Sequence, residues 1–572
     1  MSIRMLLFKK GKRMKRNSKS ILIISCAVAM SCLTGSVAGF AMTVEELDRK
    51  IKNSDTTFYR EFFENVFYKQ FVRFLQFDRL SQDLRKSPAL DVNVFDEVPD
   101  SGFFVNRQGK KPLSKAELIR GPETGTGPDP AGPWSVIKGK MEGVSVGLFI
   151  QDAKGDRYLL KFDPKEYSEM MTSAEIISHK FFHAFGYYVP EYYLVRFNPD
   201  ILRIDPKATY YNEDGFKKPL TNEALKDFMD RIPKFKGGTV RASVSKLLKN
   251  VQGNMLFEGR RKDDPEDLIP HEDRRSIRGL RVFGSWLNHY DLREGNTLDV
   301  IEEENGNAFV KHYLIDFGST LGSAAYQPKV PVAGYEHIVD WYEVGKTAPT
   351  LKVMEKPWEK KWDALKRQIA SPAIGYFDNA GFDPGNWKTQ LPYDVFDHRF
   401  TVSDAFWAAK MIMSFSDEDI QAVVDSSEFS DPEDARTMTG ILTVRRNLVG
   451  RYWFSRATPL DQIKLSDLGN QSYQIQFEDL NLKYNFAAEK ETSYRFKLEF
   501  LSRGGKTTPV SHQGFNSPSF SFKVPSPDVV KVAIWVQTQY GSDQWSAPPL
   551  KIVLARTSEA ASFSIVEIDH GV

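Results

Sequence analysis

The sequence predicts an α+β chain: a mixed strand-and-helix region, a mostly helical region, and an all-β sandwich at the C-terminal end. Three observations carry that expectation. Residues 135–200 alternate between period-two strand signals and one long helical pattern. Residues 201–465 show mainly helical periodicity, interrupted by one hairpin. From residue 466 to 572, short apolar/polar alternations recur between Gly, Ser and Pro breaks. At 572 residues the chain exceeds one compact core, and about three or four units are expected.

Residues 1–41 read as a secretory signal peptide. Arg4, Lys9, Lys10, Lys12, Arg13, Lys15, Arg16 and Lys19 form a basic start without an acid, and Ile21 to Ala29 is apolar. Ser36-Val37-Ala38 and Gly39-Phe40-Ala41 each offer a small-x-small cleavage site. The competing readings are an uncleaved membrane anchor and a lipoprotein attached through Cys32. The expected location is therefore outside the cytoplasm, in the periplasm or cell envelope. Both cysteines, Cys26 and Cys32, fall in this leader, so the rest of the chain has neither disulfides nor thiolate metal sites. The formal charge of +2 also belongs to the leader. Without its eight basic residues the chain is net acidic, which argues against a nucleic-acid partner.

Residues 42–134 are expected to form a helical arm followed by extended chain. Thr43-Val44-Glu45-Glu46 has the capping-box pattern. Phe58 to Phe77 places aromatics at spacings of three and four, an amphipathic helix suited to docking on a partner domain or lying on a membrane. Residues 88–134 read as loop, ending in the Gly/Pro-rich stretch Gly121 to Pro133. Beyond it, Val144 to Ile150 and Arg157 to Phe162 read as strands around a Lys154-Gly155-Asp156 turn. Glu169 to Phe185 reads as a helix closed by Gly186, and Pro190 to Phe197 as a further strand.

The chemistry concentrates at His289-Tyr290-Asp291-Leu292-Arg293-Glu294-Gly295-Asn296. Thr297 to Ile301 alternates as a strand, Asn305-Gly306 signals a type I′ turn, Phe309 to Ile315 returns, and Asp316-Phe317-Gly318 follows. A hairpin of that length brings Asp291, Asn296 and Asp316 to one end of one ribbon. Carboxylate and amide oxygens gathered in this way suit Mg²⁺, which takes one or two protein carboxylates together with substrate phosphates. Lys161, set among apolar residues in Tyr158-Leu159-Leu160-Lys161-Phe162, needs a partner for its ammonium group. Gly143-Val144-Ser145-Val146-Gly147 forms a glycine-rich turn able to lay backbone N–H groups against phosphates, through Gly143, Ser145 and Gly147.

These motifs resemble the atypical protein-kinase-like superfamily: HipA-like kinases, phosphatidylinositol kinases, secretory-pathway casein kinases and spore-coat kinases. The octapeptide resembles the kinase catalytic loop H-R-D-L-x-x-x-N, with Tyr290 in place of arginine, and Asp316-Phe317-Gly318 is the D-F-G motif. No A-P-E follows, and the glycine turn lacks the full G-x-G-x-x-G. The resemblance covers roughly residues 135–460 and implies a two-lobed domain, with an N-lobe at 135–200 and a C-lobe at 201–465. It implies Mg²⁺ and ATP as cofactors. Asp291 would accept the proton of the attacking hydroxyl, Arg293 would touch the transferred phosphate, and Asn296 and Asp316 would hold the metal. Lys161 would grip the α/β-phosphates and pair with Glu175 on the next helix, with Glu169 and then Glu166 as alternatives. The acceptor is some hydroxyl of a protein, lipid or sugar.

Two other classes compete. A pseudokinase-like envelope scaffold would keep the fold without turnover, because ATP is scarce outside the cytoplasm. Gly143 to Gly147 also satisfies G-x-S-x-G, which would make Ser145 a hydrolase nucleophile, but the flanking strand–turn–strand pattern opposes it. His179 and His183 lack the glutamate of H-E-x-x-H and are expected on a polar helix face or at its end.

Overall fold

The computed structural model describes residues 42–75, 87–140, 147–211, 216–341, 343–344, 369, 371–546, 548–556 and 562–571. The leader with Cys26 and Cys32, and the turn residues Gly143 and Ser145, lie outside the described residues.

The arm starts as expected. Thr43 and Glu46 close a capping box on α1 (Val44–Lys50). A longer helical run follows as α2 (Phe58–Phe62), a π-helical stretch (Phe63–Tyr68) and α3 (Lys69–Leu75). Its buried face carries Glu61, Asn65 and Val66, while Tyr59, Phe63, Tyr68 and Phe71 are exposed. The loop region holds one short helix, α4 (Lys115–Arg120), whose Ser114–Glu117 capping box the loop reading overlooked.

Next comes a seven-stranded sheet. Its members are β1 (Trp134–Lys140), β2 (Gly147–Gln151), β3 (Arg157–Lys161), β4 (Tyr192–Phe197), β5 (Leu202–Tyr211), β6 (Lys217–Pro219) and β7 (Val240–Lys246). Their order is β4-β7-β3-β2-β1-β5-β6. The helix α5 (Met170–Phe185) lies between β3 and β4 in sequence, and α6 (Asn222–Asp230) between β6 and β7. The break expected at residue 200 falls inside this sheet, because three of its strands come later. Their signals were weak: Leu202–Tyr211 buries only two of its residues, and Lys217–Pro219 is an exposed edge. One face of the sheet packs Val136, Leu148, Ile150, Tyr158 and Leu160 against Phe228 and Met229 of α6.

Helix α5 is buried on almost every side, as a helix apolar all round must be. Gly186 ends it at φ 128°, and a Cβ there would meet the Phe104 ring at 2.5 Å. The helix joins the main core with α7 (Arg275–Arg278), α8 (Leu280–Leu287), α9 (Asp394–Asp397), α10 (Val402–Met413), α11 (Asp417–Asp425) and α12 (Pro432–Phe454). Between α8 and α9 stands the hairpin β8 (Thr297–Glu304) and β9 (Asn307–Leu314), turned by Asn305 and Gly306, both at positive φ as a type I′ turn requires.

The C-terminal region is a sandwich. One sheet has the order β10-β11-β14: Leu460–Gly469, Ser472–Asp479 and Ser519–Lys523. The other has β13-β12-β15-β16-β17: Thr507–Phe515, Thr492–Ser502, Val529–Tyr540, Leu550–Ala555 and Ser564–Asp569. Alternate residues of both sheets share one core, including Ile475, Phe496, Phe520, Ile534 and Ile552. The sandwich begins at Leu460 and not at 466. Its tail docks back: His570 Nδ1 lies 2.7 Å from Asp96 Oδ2, and Ile568 N donates to Val94 O at 2.7 Å. Among the described residues no helix is long and apolar enough to cross a membrane.

Candidate active site

The hairpin register places three of the expected residues together. Thr297 pairs with Leu314, so Asn296 and Ile315 flank the closed end of the ribbon, and Ile315 N donates to Asn296 O at 3.0 Å. Asp316 follows at φ 60°, a left-handed conformation that costs a non-glycine residue of order 1–3 kcal/mol. The surroundings hold it there. Phe317 is fully buried, stacked on Phe182 of α5 at 5.2 Å and beside His289 at 5.8 Å, and Asp316 N donates to the Tyr192 hydroxyl at 3.2 Å.

The turn aims the Asp316 carboxylate at the sheet. Lys161 Nζ donates to Asp316 Oδ1 at 2.8 Å and to Glu175 Oε1 at 2.5 Å. Glu175, in the N-terminal half of the buried helix α5, has no exposure, and its second oxygen accepts from the Ser243 hydroxyl of β7. Burial of Lys161 opposes its charge, but Asp316 and then Glu175 outweigh it and hold the ammonium pKa well above its ordinary value. Burial likewise opposes ionisation of Asp316, and Lys161 followed by Lys140 reverses it, holding this carboxyl far below the usual range. The alternatives to Glu175 go elsewhere: Glu169 pairs with Arg241 at 3.0 Å and Ser430, and Glu166 is exposed.

The residues of the 291–296 loop form a second cluster. Asn296 Nδ2 donates to Asp291 O at 2.8 Å and Asp291 Oδ2 at 2.9 Å, so its Oδ1 is the atom suited to a cation. Arg293 Nε donates to Asp291 Oδ1 at 3.1 Å. Burial pushes the Asp291 carboxyl up to about 6 against the pull of Arg293, with the nearby Asp316 charge adding to the rise. Glu61, on the arm, accepts from Arg293 Nη1 at 3.2 Å and from the Tyr393 hydroxyl at 3.2 Å. The arm therefore docks on the loop itself. Next to it Glu294 is pushed up to about 7 by burial, which Lys69 of the arm opposes.

His289, fully inside the core, is pushed down to about 3 by burial and by Lys329; it is a neutral packing residue beside Phe182 and Phe317. His179 does not occupy a polar face, while half-buried His183 lies in the last turn of α5, at the helix end as expected. His179 is fully buried with Nδ1 at 2.9 Å from Glu175 O, because α5 has core on all sides. Tyr290, standing in place of the expected arginine, spends its hydroxyl on Glu336 O at 2.9 Å.

Four contributors escaped the sequence reading: Lys140, Tyr192, Ser243 and Glu61. Lys140 ends β1 and electrostatically couples to Lys161, Asp316 and Glu175. Gly147 starts β2 between the two lysine-bearing strands, pairing with Lys140 on one side and Lys161 on the other. Among the described residues no group of three or more His, Cys, Asp or Glu side chains could hold a metal. One carboxylate and one amide, Asp316 and Asn296, fit Mg²⁺ held mainly by phosphate oxygens and not a structural metal cage. No family model matches the chain, and no curated protein matches it in sequence.

Proposed function

We propose that the protein is an exported, kinase-like phosphotransferase that binds Mg·ATP and transfers its γ-phosphoryl group to a hydroxyl of a protein, lipid or sugar. The observation that carries this reading is the Lys161–Glu175 ion pair at 2.5 Å, formed between a central strand and the helix that follows it, and sharing Lys161 with Asp316. A strand lysine paired with a helix glutamate beside the D-F-G aspartate is the arrangement in which protein kinases orient phosphates and metal. The strand order supports it further. The lysine strand lies between the β1–β2 pair and β7, and the glutamate helix crosses from it to β4.

In this reading Lys161 holds the α/β-phosphates and Glu175 holds Lys161. Bound Mg²⁺ would neutralise charge developing on the phosphate oxygens, with Asn296 and Asp316 as its protein ligands. The acceptor oxygen forms a bond to the γ-phosphorus as the bond to the β–γ bridging oxygen breaks. ADP carries the leaving electron pair, and the acceptor proton passes to the Asp291 carboxylate. Arg293, kept beside Asp291 by Glu61, faces the phosphate in transit.

Nucleotide binding is tested by thermal unfolding. Mg·ATP at about a hundred times its dissociation constant should stabilise the protein by about 2.7 kcal/mol. Asp316→Asn should lose most of that gain in Mg²⁺ and retain more of it in metal-free ATP. An unmoved melting temperature for the native protein would leave the scaffold alternative in its place.

A pH profile tests Asp291. Its carboxyl titrates at about 6, and only the ionised form accepts a proton. The rate should therefore be level above neutrality and fall about tenfold per pH unit on the acid side of that value. A flat profile down to pH 4 would remove Asp291 from the proton transfer.

A further inference from the structure

We propose that Lys140 and Lys161 form a two-lysine cradle across Gly147 that grips the phosphate chain of a nucleoside triphosphate, with Lys140 as a second phosphate-binding residue. The proposal rests on the reading of the site as a nucleotide-dependent phosphotransferase.

Strand register places the pair. Gly147 is opposite Lys140 in β1 and opposite Lys161 in β3, and residues directly opposite on neighbouring strands share a face. Ser243, opposite Lys161 in β7, continues the row and reaches Glu175. The next row on that face holds Lys138, Phe149, Leu159 and Ser245, and then Tyr192, whose hydroxyl meets Asp316 N. The face carrying both lysines is thus the one turned toward Asp316, opposite the face packed on α6.

Gly147 leaves the middle of the row open. No side chain separates the lysines, and a Cβ there would stand 2.6 Å from Leu160 O. Two strand spacings root the stems roughly 10 Å apart, wider than one phosphate fills and suited to a chain of phosphates. Electrostatics points the same way. Burial and the neighbouring Lys161 charge hold the Lys140 ammonium pKa below its ordinary value, with Asp316 and Glu175 opposing them. Lys140 thus feels the charges of Lys161, Asp316, Glu175 and Arg293, and it sits on the opposite side of the glycine from the lysine already assigned.

The test is titration of the native protein, Lys140→Met and Lys140→Arg with ATP, inorganic tripolyphosphate and adenosine, alongside ligand-free melting curves. Lys140→Met should weaken ATP and tripolyphosphate by at least about tenfold and leave adenosine unchanged. Lys140→Arg should stay within about threefold of native for all three probes, since it keeps the charge. Unchanged ATP and tripolyphosphate affinity in Lys140→Met overturns the cradle while leaving the phosphotransferase reading standing. An equal loss for adenosine, or a loss that follows a lowered melting temperature in both variants, makes Lys140 a structural residue and also overturns it. Native protein that binds tripolyphosphate through Lys140 but gains nothing from the nucleoside keeps the cradle and sinks the nucleotide reading. Native protein that binds neither phosphate probe sinks both.

Discussion

Asp291→Asn is expected to lower phosphoryl transfer by about 10²- to 10⁴-fold while Mg·ATP affinity stays within about threefold of native. The substitution keeps the shape of the side chain. Its single amide oxygen can keep one of the two contacts, from Arg293 Nε (now 3.1 Å from Oδ1) or from Asn296 Nδ2 (now 2.9 Å from Oδ2), while its NH2 group takes the other oxygen's place. What it loses is the ability to take a proton from the acceptor hydroxyl. The side-chain partners of Asp291 are Asn296 and Arg293, whereas Lys161, assigned to the phosphates, is held by Glu175 and Asp316, so ground-state binding has little reason to change. The comparison is single-turnover transfer against equilibrium nucleotide binding for native and variant. Equal loss in both would mean that Asp291 shapes the pocket, and an unchanged rate would move the base elsewhere.

The parts of this site legible in the sequence were those governed by local rules. The Asn305-Gly306 turn fixed the hairpin length, and that alone brought Asp291, Asn296 and Asp316 to one end. The helix closing at Gly186 placed Glu175 on an element next to the lysine strand, because a one-residue cap and a long apolar pattern are both local. Lys140 was hidden by a register irregularity. Trp134 and Val136 face the α6 core, and simple alternation would put Lys138 and Lys140 there too. The register shifts between Val136 and Lys138, so Lys138 and Lys140 turn to the opposite face and Gly139 takes the α6 side. Glu61 was missed for another reason. Its contact with Arg293 spans 232 positions, and an acid inside an aromatic-rich helix gives no sign of which distant cation it will meet. The strands after residue 200 were missed because a sheet edge needs no buried alternation.

The docking of the arm also explains an arrangement that the loop motif leaves open. Arg293 stacks over Phe58 at 5.5 Å and pairs with Glu61, and Trp341 Nε1 donates to Val66 O at 2.8 Å. Gly295 beside them cannot carry a side chain without meeting Arg293 Nη1 and Glu61 Oε1. The 289–296 loop is thus held from outside by the arm through Arg293 and Gly295.

The largest stability effect is expected at a residue remote from the phosphates. Asp404, fully buried at the start of α10, caps that helix with Thr401 and faces two arginines of the α7–α8 segment. Arg275 Nε lies 3.2 Å from its Oδ1, and Arg278 Nη1 lies 3.5 Å from its Oδ2. Arg275 also reaches Asp96 at 2.7 Å, and Asp96 in turn meets His570 from the sandwich. Asp404→Ala leaves two buried guanidinium groups short of a carboxylate and should cost about 3–5 kcal/mol. The lost cap is part of the same local network, so its contribution of about 1 kcal/mol does not simply add. Asp404→Asn, which keeps a cap and an acceptor, should cost less. Both are measured as the shift in denaturant midpoint at constant slope. Because α8 ends at Leu287 and only its cap Asn288 separates it from His289, activity should fall in step with the folded fraction and nucleotide affinity per folded molecule should hold. A loss below about 1 kcal/mol for Asp404→Ala would show that Asp96 and Asp273 already satisfy both arginines, and that the loop rests on packing alone.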